Sequence, residues 1–164
     1  MLLAGRPLWI KQVMSEYEIS KGEKKFVEQY LALIDEFDNE TQLEYYKKED
    51  IINVINSVID GDNTIHFHLL KDGIPIGFIS GIITSHIYDS SQKVLMEFGW
   101  FITKEERKTL WSVRLLKTFE KAGKEAGANS VFMILRTNLT DTKVEDFYLR
   151  SGYTLVEKSF CKRL

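Results

Sequence analysis

The densest group of chemistry-bearing side chains is basic. Lys104, Arg107, Lys108, Arg114 and Lys117 crowd the entrance of a helix expected from about Leu110 to Ala126. A helix start presents unpaired N–H groups and the positive end of its dipole, so cations there suit an anionic ligand. A solvated polar face is the commoner meaning of such a charge run. Just upstream, Glu97 is the only carboxylate within the apolar stretch Lys93 to Thr103. Simple alternation puts it on one strand face with Gly99 and Phe101. Two readings stand for Glu97: a proton acceptor, or a carboxylate turned to solvent or to a lysine of the next strand. Tyr148, beside Phe147, offers either a phenolic proton donor or packing for the last helix. His66 and His68 share a strand face, with His86 further on, but no third ligand has suitable spacing. They are expected at the strand surface, with no metal bound. Cys161 is a lone cysteine and reads as a small hydrophobe. Trp100 reads as core, and Trp111 stands at the helix entrance.

The elements that position these residues follow from periodicity. Phe26, Tyr30, Leu33, Ile34 and Phe37 mark one helix face, and Ile51, Ile52, Ile55, Val58 and Ile59 a second, stopped by Gly61. The period then becomes two. Thr64 to Leu70 alternates, Lys71-Asp72-Gly73 signals a turn, and Ile74 to Thr84 completes an antiparallel hairpin. A polar loop, Asp89 to Gln92, leads to a strand from Lys93 to Thr103. After the long helix and Gly127 come a buried strand, Ser130 to Leu135, and a short helix, Lys143 to Arg150. That helix is introduced by a capping box at Thr142 to Glu145 and ended by Gly152. Tyr153 to Phe160 is expected as a final strand. Residues 1–25 have no defined pattern and are assigned either an edge strand or a partner contact. Hairpin-linked strands followed by strand–helix–strand segments give an α/β (α+β) fold, a mixed, mostly antiparallel central sheet flanked by helices on both faces.

Composition sets the outer bounds. The chain has 164 residues, 44% hydrophobic and 28% charged, so one packed domain over 1–164 is expected. The formal charge of −2 argues against a general nucleic-acid binder. No apolar run reaches membrane-spanning length, and Met1 to Ile10 is broken by Gly5, Arg6 and Pro7 rather than built as a signal peptide. A cytoplasmic location is the expectation.

Two motifs carry a family resemblance over roughly residues 26 to 160. Ile102 to Leu116 resembles the strand-to-helix segment V-x-P-x-Y-R-G-x-G-x-G-x-x-L-L of the GCN5-related N-acetyltransferase (GNAT) superfamily, with Ile102, Arg107 and Leu115-Leu116 aligned without a gap. Phe147-Tyr148-Leu149-Arg150-Ser151-Gly152-Tyr153 resembles its F-Y-x-x-x-G-F/Y signature. The resemblance implies that acetyl-CoA serves as co-substrate. Its phosphates would lie on Arg107, Lys108, Thr109, Leu110, Trp111 and Ser112, and its pantetheine along Trp100, Phe101 and Ile102. It also implies an oxyanion donor at the backbone near Phe101 or Ile102, Glu97 as base and Tyr148 as acid. Asn138 stands just before the position where the family often has an asparagine, which holds Asp141 here.

The three loop glycines of that family are Lys108, Leu110 and Ser112 in this chain. Two functions are therefore weighed. One is acetyl transfer to an amine, on a small molecule or a protein, by a chain with no nucleic-acid or membrane partner and with a homodimer as an option. The other is a non-catalytic, phage-type structural or partner-binding protein that keeps the fold without the co-substrate.

Overall fold

The computed structural model describes residues 15–41, 47–135, 142–160 and 162. Asn138, Asp141, Cys161 and most of the N-terminal segment lie outside them. Strand β1 (Tyr17–Lys21) and a 3-10 turn precede α1 (Val27–Thr41) and α2 (Lys48–Asp60). Then follow β2 (Thr64–Lys71), β3 (Ile74–His86), β4 (Asp89–Ile102), α3 (Leu110–Glu125), β5 (Ser130–Phe132) and α4 (Thr142–Arg150). The sheet order is β1-β2-β3-β4-β5. The first three pairings are antiparallel and the last, across the α3 crossover, is parallel. Among the described residues no helix is long and apolar enough to cross a membrane.

Each face of the sheet has its own core. Leu69 of β2, Ile79 of β3, and Leu95 and Ile102 of β4 pack on Leu115, Leu116 and Phe119 of α3. On the other face, Phe78 and Phe101 pack on Leu33 of α1, and Tyr30 and Leu31 meet Ile55 of α2. The β2–β3 turn is formed by Asp72 and Gly73, both at positive φ (51° and 80°), the pair a type I′ hairpin turn demands. Gly81 lies where α3 crosses, and a Cβ there would sit 2.6 Å from Phe119 Cζ and 2.7 Å from the Met96 carbonyl oxygen.

Of the two options for the N-terminal segment, residues 17–21 take the edge strand, as β1. Three expectations are corrected. Asp89 to Gln92 is strand, not loop, because the β3–β4 hairpin turns at Ile87 and Tyr88 and its register runs from His86↔Asp89. Only Asp89 is matched there: the register then jumps to Ser85↔Lys93, and Ser90 to Gln92 bulge from the ladder, held by Asp89 Oδ1, which accepts from the Ser91 N–H and hydroxyl. Tyr153 to Phe160 forms no strand: β5 pairs only through Phe132, and Leu155, Val156 and Phe160 stand exposed without a ladder partner among the described residues. His66 and His68 are not at the surface, because α1 and α2 cover their face, and His68 is 0% exposed.

Candidate functional site

The site begins with one extra residue in β4. Ser80 pairs with Gly99 and Gly81 with Glu97, so Phe98 has no opposite number and forms a β-bulge. Beyond such an insertion every side chain changes face. Glu97 stands opposite Gly81, whose Cβ direction points at Phe119 of α3, so Glu97 lies on the α3 face with Trp100. Gly99 and Phe101 lie on the α1 face, next to Phe78. Simple alternation had grouped Glu97 with Gly99 and Phe101; the bulge overturns that.

At the same point the sheet opens. The β4–β5 ladder ends at Met96↔Phe132, and among the described residues β4 from Glu97 to Ile102 has no strand on that edge. Glu97 spans the parting: its Oε2 accepts the Ile134 N–H at 2.9 Å, and the residue is 4% exposed. A carboxylate accepting an amide N–H makes a charge-assisted bond, stronger than the ladder bond it replaces. Beside the open edge, the Trp100 ring lies 6.1 Å from Phe147 and 6.0 Å from Tyr148, and Tyr148 lies 5.4 Å from Tyr153. Burial, and to a lesser extent the charge of Glu97, push the Tyr148 phenol far above its ordinary range, so it stays a hydrogen-bond donor at any working pH. The Trp100 Nε1–H is buried with no partner among the described residues.

The open edge runs into the loop before α3. Glu106 N–H bonds Thr103 O and Thr109 N–H bonds Glu106 O, two successive turns that deliver the chain to the helix. The Thr109 hydroxyl donates to Glu106 O, and Ser112 Oγ donates to Thr109 O. Neither side chain caps the helix, and Thr109 as N-cap makes no side-chain cap bond. The first-turn amides of α3 thus keep the vacancy inherent in any helix start. Leu110 is 73% exposed and Lys108 is exposed. Trp111 is drawn aside, stacked 5.3 Å from the Tyr17 ring with the Arg114 guanidinium 4.5 Å from its own ring.

Arg107 is turned the other way. Its Nε donates to Ile102 O at 2.7 Å, its Nη2 pairs with Glu40 of α1 at 2.8 Å, and its guanidinium covers the Phe101 ring. It ties loop, β4 and α1 together. A residue that sequence reasoning missed completes the tie. Glu106, nearly buried, accepts from Lys71 Nζ and, at 2.7 Å, from the Tyr17 hydroxyl. The Lys71 and Tyr17 bonds hold its carboxyl below the usual range. No local pattern marks Glu106, since its partners come from β1 and β2.

The α1 face carries a second polar group. Tyr30 Oη and His68 Nδ1 are 2.6 Å apart, His68 Nε2 and Ser20 Oγ 2.7 Å, and His66 Nδ1 and Ser80 Oγ 2.7 Å. Burial, with the neighbouring His68, lowers the His66 pKa from 6.5 to about 4, and burial lowers that of His68 as well. Between those values the unfolded chain binds a proton that the folded one refuses. Stability is therefore full above about pH 6.5 and falls as pH drops toward 4. The His66 shift alone is worth on the order of 3 kcal/mol. Denaturant titrations from pH 7.5 to 4 should show that slope, reduced in His66→Gln; identical profiles would remove His66 as its source. Among the described residues no group of three or more His, Cys, Asp or Glu could hold a metal ion.

Comparisons with known proteins bear on this geometry. The sequence model of the family described as "Acetyltransferase (GNAT) family" matches residues 27–153. No curated protein matches in sequence. Among solved structures, aminoglycoside N-acetyltransferase AAC(6')-Iy in complex with CoA is 16% identical with a TM-score of 0.77, covering 94% of this chain and 99% of that one. A transcriptional regulator from Bacillus halodurans C-125 is 12% identical with a TM-score of 0.77, covering 91% and 100%. Glucosamine-6-phosphate N-acetyltransferase from Arabidopsis thaliana is 14% identical with a TM-score of 0.70, covering 90% and 98%. At these identities the likeness is one of fold.

Proposed function

Because the chain belongs to the GNAT acetyltransferase family, whose members use acetyl-CoA as co-substrate, we propose that it moves the acetyl group to a primary amine by direct attack. The observation that carries this reading is the unpaired β4 edge from Glu97 to Ile102, which leads to an uncapped helix start. The residues present fit the co-substrate. A buried, partnerless Trp100 Nε1–H beside an open strand edge costs about 1–3 kcal/mol unless something accepts it, and the pantetheine arm carries amide carbonyls that can. The first-turn amides Leu110 to Ser112, with Lys108 beside them, would hold the phosphates. Leu110 and Lys108 replace family glycines, yet both side chains are exposed, which favours a usable loop. Arg107 serves by fixing that loop on α1 rather than by gripping a phosphate.

In the reaction, the neutral amine forms a C–N bond to the thioester carbonyl carbon and the C–S bond breaks. A β4 N–H in the Phe101–Ile102 region stabilises the carbonyl oxygen as it gains charge. Glu97 accepts the amine proton, directly or through one water. Tyr148 hydrogen-bonds the departing sulfur and supplies its proton. The aminoglycosides and the sugar phosphate named for the structural relatives are not carried over, since the fold alone is shared.

The test is release of free thiol from acetyl-CoA in the presence of a panel of primary amines. Amine-dependent thiol release with a matching N-acetyl product is expected. No amine-dependent release across the panel, in a protein that still binds acetyl-CoA, would return the chain to the non-catalytic reading.

A further inference from the structure

A cavity of about 190 Å³ lies between α1, α2 and the sheet, and it reaches β4 at Phe98 and Gly99, the residues of the bulge. It therefore adjoins the open edge from the face opposite Glu97, Trp100 and Tyr148. Its wall is hydrocarbon, with Ile34 and Phe37 from α1 and Ile51, Ile55 and Val58 from α2. Its rim includes Val54 and Phe98, both partly exposed, so it opens to solvent. The lining holds no carboxylate and no cation. Its polar members are engaged on their inner sides: the Tyr30 hydroxyl with His68 and the Glu23 N–H, and His66 Nδ1 with Ser80, while His66 Nε2, buried without a partner among the described residues, lies beside Gly22. His66, the one titratable base in that wall, is held neutral by burial.

Such a wall cannot repay the desolvation of ammonium groups, and it rewards hydrocarbon. A dry apolar cavity of about 150 Å³ accommodates a benzene ring, so about 190 Å³ suits a ring with a short tail or a chain of six carbons. Resting on the acetyl-transfer reading above, we propose that the acceptor is a small monoamine with an apolar body. Its hydrocarbon part occupies the α1–α2 cavity, and its single amine passes the Phe98–Gly99 bulge into the open β4 edge, toward the face that holds Glu97. Polyamines and amino sugars are excluded because they would bring further ammonium groups to a wall without a counter-charge.

The test is a chain-length series. Rates of N-acetyl product formation are measured for propylamine, butylamine, pentylamine and hexylamine, for phenethylamine, and for spermidine and kanamycin. We expect kcat/KM to rise roughly fourfold per methylene until the cavity is full, with spermidine and kanamycin far below hexylamine. Val54→Asp, a change at the partly exposed rim, should flatten the series while leaving acetyl-CoA binding unchanged, and Val54→Leu should preserve it. A flat series in wild type, or preference for spermidine or kanamycin, overturns the assignment. If no amine is acetylated, the failure belongs to the transfer reading, and binding of N-hexylacetamide by ligand-observed NMR decides the cavity separately. Binding lost in Val54→Asp supports an apolar site there; no binding to wild type overturns it.

Discussion

Tyr148→Phe is expected to lower kcat about 100-fold or more while changing KM for acetyl-CoA little, because a positioned proton donor contributes about 10²–10⁴-fold. The substitution removes one oxygen and keeps the ring. The contacts with Trp100, Phe147 and Tyr153 are ring contacts, so the aromatic cluster beside the open β4 edge survives. Stability should stay within about 1 kcal/mol of wild type, as for a change that empties no core and orphans no partner. Initial rates by thiol release, with thermal unfolding run alongside, separate the two roles. Equal kcat in the two proteins would make Tyr148 a packing residue of α4.

Glu97 allows a sharper division, because its geometry assigns it two tasks. One oxygen accepts the Ile134 N–H and so holds β5 where it parts from β4. Glu97→Gln keeps an acceptor oxygen for that amide but has no useful basicity. It should fold with nearly wild-type stability and lose about 100-fold in kcat. Glu97→Ala removes the acceptor as well, leaving the Ile134 amide without its partner at a further cost of about 1–3 kcal/mol in stability. The pair of variants is read by urea unfolding and by turnover. If Glu97→Gln keeps full activity, Glu97 is a positioning residue that fastens the parting strands, and the amine proton leaves by another route.

Local rules carried the reading far where structure is local. The periods of α1, α2 and α3 and the Asp72-Gly73 turn were all visible, since each depends on neighbours within a few residues. The two motifs around Arg107 and Tyr148 likewise mark real junctions, the loop before α3 and the middle of α4. What stayed hidden depends on residues far apart in the chain. The bulge at Phe98 is set by pairing with β3 and by the crossing of Phe119 over Gly81, and it alone decides which face Glu97 takes. His66 and His68 look like surface residues until α1 and α2 cover them. Glu106 is one acidic residue in a polar run until Lys71 and Tyr17 converge on it from two strands. Arg107 was expected among the phosphates because of its place in the motif, and Glu40 of α1 supplies a partner that the motif does not contain. Tyr153 to Phe160 follows Gly152 and reads as a final strand, but a strand also needs a neighbour, and β5 ends at Phe132.

The central claim is that the unpaired β4 edge and the uncapped start of α3 together receive acetyl-CoA. Titration calorimetry of the protein with acetyl-CoA tests it without any knowledge of the acceptor. The account predicts one site per chain, with affinity weakened when Trp100→Phe removes the partnerless indole N–H. No heat of binding with acetyl-CoA at millimolar concentration would contradict it, because no transfer can begin from a site that does not hold the acetyl donor.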